Sequence, residues 1–326
     1  VAAGVRGARA PGAVALAVEN LGPFERAEVE LKPLTVLVGR PGTGKSTLAR
    51  LAWALESLAS TDSRGIVGRL REVFGAEPRE LVRVGAERAR AVVLKRCGRL
   101  EVAIGRSVEA SSSAKSPSCF REGRAAGVYL YDTRALASPA RALEPAEREI
   151  LGAAAHFTNL GDAEIEAVNG VLGELGCRVA VGGGGAVYIN SWSGKVHHLY
   201  RAPASVRRVV PVLLSLVAPG LRIVYVEEPE AGLHARAVLK LAELVARAAA
   251  RGKRVVVTTH SRELVAAACK AAARAAGERG EGGFSLDDAA VYLLRTEGGR
   301  ALVERLRVAP GGMPEEDLER VSSEVS

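Results

Sequence analysis

Apolar positions along the chain follow two different periods, and the changes between them mark its elements. Ala13–Val18 and Ala27–Leu31 have strand-like patterns on either side of the turn Asn20-Leu21-Gly22-Pro23, and Leu34–Val38 is apolar but for Thr35, as in a strand covered on both faces. After a glycine-rich stretch, Leu48, Leu51, Ala52, Leu55 and Leu58 recur at helical spacing, which puts one apolar stripe on a helix. The start of the chain therefore predicts strand, loop, helix.

From about Ser60 to Tyr200 the pattern loosens. Short strands are expected at Ala91–Lys95 and Leu100–Ile104, joined at Cys97-Gly98, with helices near Glu147–Ala155 and Glu164–Leu175. Gly182–Gly185 leads into the strand-like Ala186–Asn190 and not into a helix, so it reads as a hairpin turn and not as a phosphate loop. Regular alternation then resumes with helix Val206–Leu216, strand Arg222–Val226, helix Ala235–Ala250, strand Arg254–Thr258 and helix Arg262–Ala275, followed by strands Ala290–Leu294 and Ala301–Leu306. Such alternation predicts a mostly parallel sheet. The expected organisation is one discontinuous core formed by 11–60 and 201–308, an inserted α+β lobe at 61–200, and a Gly/Pro-rich, acidic tail at 309–326. No internal repeats and no sustained heptads are present.

Composition changes this picture little. With 326 residues, 48% of them hydrophobic, the chain can form one large domain without a disulfide staple. A net charge of +8 suits nucleic acid or another anionic surface. However, the densest basic stretch, Arg83, Arg88, Arg90, Lys95, Arg96, Arg99 and Arg106, is interrupted by Glu87 and Glu101, so a solvated face accounts for it equally well. Cys97, Cys119, Cys177 and Cys269 lie far apart with no C-x-x-C pair; zinc-ligand spacing is absent and the cysteines read as reduced. Val1–Val18 contains Arg6 and Arg9 without a sustained apolar region, and no run long enough to span a bilayer occurs elsewhere. The expectation is a cytoplasmic protein with no membrane partner. The absence of glutamine and the single methionine hint at a thermophilic source, although GC-biased coding would leave the same trace.

Three segments carry chemistry. Gly39-Arg40-Pro41-Gly42-Thr43-Gly44-Lys45-Ser46-Thr47 fits G-x-x-x-x-G-K-[ST] and stands between an apolar strand and a helix, where such a loop cradles phosphates. Its backbone N–H groups and the helix N-terminus would face the phosphates of ATP, Lys45 would reach the β- and γ-phosphates, and Ser46 would hold Mg²⁺. Arg222–Glu230 is an apolar strand ending in paired carboxylates: Glu227 is the candidate for holding Mg²⁺ through water, Glu228 for polarising the attacking water. Val255–Ser261 is a second apolar strand with a polar end, and His260 would sit beside the γ-phosphate if that strand lies between the first two. His156, His197 and His198 read as core or surface residues, and His234 has no comparable support.

The stretches VENLGPFERAEVELKPLTVLVGRPGTGKSTLA, VYVEEPEAGLH and VVVTTHS resemble the ABC-type ATPase heads of the RecF, SMC and OLD-like group of predicted AAA ATPases. The resemblance implies an α/β P-loop NTPase fold: an ABC-type head with a mostly parallel central sheet, an antiparallel β subdomain and an inserted lobe. It also implies ATP and Mg²⁺ as cofactors, ATP hydrolysis, and a homodimer on ATP binding in which a signature serine of one head touches the γ-phosphate held by the other. Ser205, in Pro203-Ala204-Ser205-Val206-Arg207-Arg208, is the candidate for that serine, against the plainer reading of a helix N-cap. Tyr129, Tyr131, Asp132 and Arg134 fall where relatives place an arginine near the nucleotide.

Several features depart from the family pattern. Val206 stands where Gly usually follows the signature serine, Pro41 replaces the usual loop Asn, and a Mg²⁺-sensing glutamine cannot exist in a chain without Gln. The expected role is an ATP-dependent dimerising switch in DNA maintenance, defence or regulation, with DNA or a separate effector protein as partner. The alternatives are a nucleotide-responsive scaffold with little turnover and a transporter subunit, the latter expecting an LSGGQ-like signature that the sequence lacks. Missing heptads and C-x-x-C separate the chain from chromosome-bridging members, and with about 65 residues after His260 the expectation is that any nuclease or effector is a separate protein.

Overall fold

The structure, a computed structural model, describes residues 14–114, 117–120, 127–130, 160–182, 187–191, 193–277 and 284–325. The helix expected near Glu147–Ala155, together with Tyr131, Asp132, Arg134 and His156, lies outside them.

A six-stranded sheet forms the centre, in the order β14 (Arg300–Leu306), β13 (Ala289–Glu297), β3 (Leu34–Gly39), β12 (Arg254–Thr259), β11 (Ile223–Glu227) and β7 (Gly127–Leu130). β13, β3, β12, β11 and β7 run parallel, and β14 returns antiparallel at the edge. The inner strands are apolar at most positions because both faces are covered, whereas the edge strand β14 buries only Ala301 and Leu306. Their period of two sorts the side chains between two cores. Val36, Val224, Val255, Val257 and Val291 join the core under helices α3 (Asp162–Leu172), α4 (Ala204–Val217), α5 (Ala235–Ala250) and α6 (Arg262–Gly277). Leu37, Tyr225, Val256 and Tyr292 point the other way, into a core shared with helix α1 (Lys45–Glu56), helix α2 (Ser63–Phe74) and an antiparallel sheet.

That second sheet has the order β2 (Phe24–Leu31), β1 (Val14–Leu21), β4 (Ala89–Lys95), β5 (Gly98–Ile104), β6 (Val108–Ser112). A small third sheet joins β10 (Val196–His198), β9 (Val187–Ser191) and β8 (Cys177–Val181). The stretch 61–200 thus contributes strands to all three sheets, and its short β7 is hydrogen-bonded directly to β11 of the centre. Helix α2 went unseen in the sequence, although Asp62 caps it by accepting from Gly65 N–H and Gly75 closes it in the left-handed conformation.

Two readings need correction. The cysteines are not all reduced: Cys97 and Cys119 form a disulfide with Cα atoms 5.7 Å apart, while Cys177 and Cys269 are free and buried. Folding brings the β4–β5 turn against the 3₁₀ turn Pro117–Phe120, a proximity that a sequence separation of 22 does not reveal. The acidic end of the chain is also more than a tail. Glu315, Glu316 and Asp317 open a helix, α7 (Glu315–Val325), whose Val321 is buried in the first core. No helix among the described residues is long and apolar enough to cross a membrane.

Candidate functional site

Parallel strands end together, so the chemistry-bearing residues that follow β3, β11 and β12 meet at one edge of the sheet. β12 does lie between β3 and β11, the condition on which the placing of His260 depended. β3 ends at Gly39, where a Cβ would collide with the Leu294 carbonyl, and the loop turns into α1 at Gly44, which has φ 92° and lies against the Phe24 ring. Both positions need glycine for close approach. Thr43 folds the loop on itself, its hydroxyl donating to the Arg40 carbonyl at 2.8 Å. Lys45 is buried, and its ammonium donates to the carbonyls of Gly39 (2.6 Å) and Arg40 (2.7 Å), which holds it over the loop. Burial pushes Lys45 down from its ordinary pKa, and the nearby carboxylates of Glu228, Glu230 and Glu227 pull against that shift.

Not every loop side chain turns inward. The Arg40 guanidinium points to the end of α7 and donates to the carbonyls of Glu324 (2.7 Å) and Ser323 (3.2 Å), so only its backbone takes part in the loop. Pro41 and Gly42 are exposed. Thr47 packs at the β1–β2 turn, where a Cβ on Gly22 would meet its methyl at 3.2 Å. Ser46 is half-buried in the first turn of α1.

At the end of β11, Glu228 takes φ 44°, a left-handed conformation rare outside glycine that costs on the order of 1–3 kcal/mol. Its amide donates to the Thr258 carbonyl at 2.8 Å, tying the two strand ends together. Nδ1 of His260 stands 3.5 Å from Oε1 of Glu228 and 3.9 Å from Oε1 of Glu230. Glu230, absent from the sequence-based site, anchors this corner: Oε1 accepts from the Thr259 hydroxyl at 2.5 Å and from the His260 amide at 3.3 Å. Burial raises its carboxyl pKa, and Oε2 is buried with no hydrogen-bond partner among the described residues.

Glu227 is held most tightly of all. The guanidinium of Arg50 grips it with both arms, Nε to Oε1 at 2.7 Å and Nη2 to Oε2 at 3.1 Å, and the Tyr129 hydroxyl donates to Oε1 at 2.6 Å. Sequence reasoning did not assign Arg50, and the one available signal was its place four residues after Ser46, on the same face of α1. Ser205 lies in the first turn of α4 beside the loop after β11, where a Cβ on Gly232 would come within 3.7 Å of its own Cβ. It is not the N-cap, since Pro203 occupies that position. The basic stretch is largely paired: Arg88 bridges Glu109, and both Arg90 and Arg99 bridge Glu101.

The donor set fits nucleotide-borne Mg²⁺. A hydroxyl, a carboxylate and phosphate oxygens are hard ligands of the kind that ion takes, usually with several waters retained. Among the described residues no group of three or more His, Cys, Asp or Glu side chains could hold a metal without such help.

A glycine loop between strand and helix, with carboxylates at the end of the next parallel strand but one, defines the P-loop NTPase fold in its ABC-type, SMC-like form. Comparison with solved structures bears this out. The crystal structure of the SmcHead bound to the C-winged helix domain of ScpA matches with a TM-score of 0.63 at 10% identity, covering 94% of this chain and 98% of that one. An Smc head domain with an extended coiled coil, bound to the C-terminal domain of ScpA derived from Pyrococcus furiosus, gives 0.60 at 10% identity, covering 95% and 98%. The SMC head domain from Thermotoga maritima gives 0.50 at 12% identity, covering 90% and 98%. A family profile described as "AAA domain, putative AbiEii toxin, Type IV TA system" matches residues 206–266, from α4 through β12 into α6. A search of curated proteins finds no match.

Proposed function

We propose that this protein binds ATP with Mg²⁺ in the Gly39–Thr47 loop and hydrolyses it, acting as a switch that dimerises on ATP. The supporting observation is the convergence of Lys45, Glu227, Glu228 and His260 from three parallel strand ends on one corner. In this reading the loop amides and Lys45 hold the phosphates, and Glu228 serves as general base for the attacking water. His260, within reach of Glu228 and braced by Glu230, orients that water and the γ-phosphate. Bound Mg²⁺ would neutralise charge building on the phosphate oxygens, with Ser46 and Glu227 on its ligand side. Ser205 has no capping duty in its own helix and is assigned to the γ-phosphate held by a second head. DNA maintenance, defence or regulation is the proposed setting, with DNA or a separate effector protein as partner.

The deciding experiment measures ATP turnover and light scattering with and without ATP for the wild type, Glu228→Gln and Ser205→Arg. Turnover of Glu228→Gln should fall by roughly 10²- to 10⁴-fold, about 3 to 5 kcal/mol of barrier, while ATP still binds and a dimer persists. Ser205→Arg should bind ATP as a monomer. Wild-type turnover by Glu228→Gln would sink the assignment of the base, and a normal ATP dimer of Ser205→Arg would sink the signature. If DNA is the partner, binding should weaken steeply between about 50 and 200 mM salt.

A further inference from the structure

We infer that Arg50 is a built-in counter-cation for the metal-side carboxylate, so that this head has no affinity for Mg²⁺ until a nucleotide brings phosphate charge with it. The inference rests on the ATP-binding reading above and adds an order of events to it. In P-loop NTPases the carboxylate at this strand end meets a doubly charged ion. Here that position is held by Glu227, whose side chain is only 4% exposed and whose two oxygens are both bonded to one guanidinium. Bidentate pairing of this kind is short, planar and strong. Tyr129 adds a third hydrogen bond, which leaves the carboxylate one of its roughly four acceptor sites for a metal-bound water.

Charge decides the consequence. The single negative charge of Glu227 is already matched by Arg50, and Lys45 lies close enough to feel Glu227, Glu228 and Glu230. An ion arriving alone on the Glu227 side would meet two fixed cations and one hydroxyl ligand, Ser46, while Glu228 and Glu230 face His260, and it would still have to shed water that Mg²⁺ gives up reluctantly. Phosphates reverse the balance, because they occupy Lys45 and supply oxygen ligands of their own. Arg50 is 30% exposed, so it can turn toward solvent without stranding its charge. Arg50 is therefore a positioning residue, acting on metal and nucleotide through Glu227.

The test is calorimetric titration of MgCl₂ and MnCl₂ into the nucleotide-free full chain, for wild type, Arg50→Gln and Arg50→Lys. The wild type should show no saturable site below about 1 mM, yet should bind Mn²⁺ once ATP is present. Arg50→Gln keeps hydrogen-bonding reach without the charge; it should gain a metal site at least about tenfold tighter, and adding Glu227→Gln should abolish the gain. Arg50→Lys, which keeps the charge, should titrate like the wild type, an outcome that a merely structural salt bridge does not anticipate. Saturable metal binding by the nucleotide-free wild type overturns the inference even if no variant folds. So does an Arg50→Gln titration that matches the wild type. A parallel ATP titration separates the two readings: a wild type that binds no ATP refutes the proposed function and leaves the nucleotide-free comparison intact.

Discussion

Two carboxylates lie along α1, each held by an arginine and a tyrosine, and they do different work. Glu56, in the last turn of α1, is fully buried and bonded to Arg254 at 2.5 Å, to Lys95 at 3.2 Å and to the Tyr225 hydroxyl. Its partners come from β12, β4 and β11, so it fastens α1 to both sheets, and all three are buried, Arg254 the most exposed at 9% of its side chain. Glu227 has the same kinds of partner, but its arginine is 30% exposed. The two clusters stand back to back: Tyr129 and Tyr225 are paired across β7 and β11, and their rings stack 5.7 Å apart at 15°. An arginine and a tyrosine on a carboxylate give a rivet where every partner is dry, with Lys95 added, and an exchangeable clamp where one partner reaches water, because only the second can rehydrate the group it releases.

The comparison can be broken or sharpened by mutation. Glu56→Ala takes from Arg254 and Lys95 the buried carboxylate they share and should cost about 3–5 kcal/mol in urea unfolding. A loss under about 1 kcal/mol would mean that the rivet is no rivet. Tyr225→Phe removes a buried hydroxyl from a charged acceptor and should cost about 1.5–3 kcal/mol, whereas Tyr129→Phe, at the wetter cluster, should cost about 1 kcal/mol. Equal losses would show that the two sites are equally sealed. Glu227→Gln should lower stability by less than about 1 kcal/mol, since Arg50 can rehydrate, yet should weaken Mg²⁺-dependent ATP binding.

Acid unfolding gives the finest discrimination. Burial alone would raise the Glu56 carboxyl, but Arg254, Lys95 and the Tyr225 hydrogen bond outweigh it and hold the group below its ordinary 4.5. A depressed folded value means that its stabilisation is complete above that ordinary value and is lost as pH falls through the folded one. Wild-type stability should therefore decline below about pH 4.5, and Glu56→Gln should show a shallower acid limb. Parallel limbs for the two proteins would remove Glu56 from the account.

Much of this architecture was legible because local pattern and tertiary structure agree. The helix expected at Ala235–Ala250 forms over that range, and the strand expected at Arg254–Thr258 extends by one residue, since amphipathic and fully apolar runs leave few options. Helix α2 was harder, as only Ile66, Leu70 and Val73 are buried among its charged and glycine residues. β7 has four residues and takes its meaning from β11, far along the chain. Arg50 was hidden for the same reason, and so was the hold of Tyr129 on Glu227, since they lie 177 and 98 residues from that carboxylate. No period in a sequence encodes such distances. Glu230 stood in plain view, but its bracing of Thr259 and His260 exists only once β11 and β12 lie side by side.

The indole of Trp53 sits three residues beyond Arg50 on α1, 1% exposed, with its ring 5.6 Å from that of Tyr225 and 6.3 Å from that of Tyr129. The guanidinium of Arg69 lies over the Trp53 ring, 5.3 Å from its centroid. Such a dry fluorophore, beside two tyrosines whose hydroxyls serve the two clusters, is placed to report on changes in either. With Trp192 replaced by Phe, the light from this one residue would follow the release of Glu227 in real time, without any attached dye.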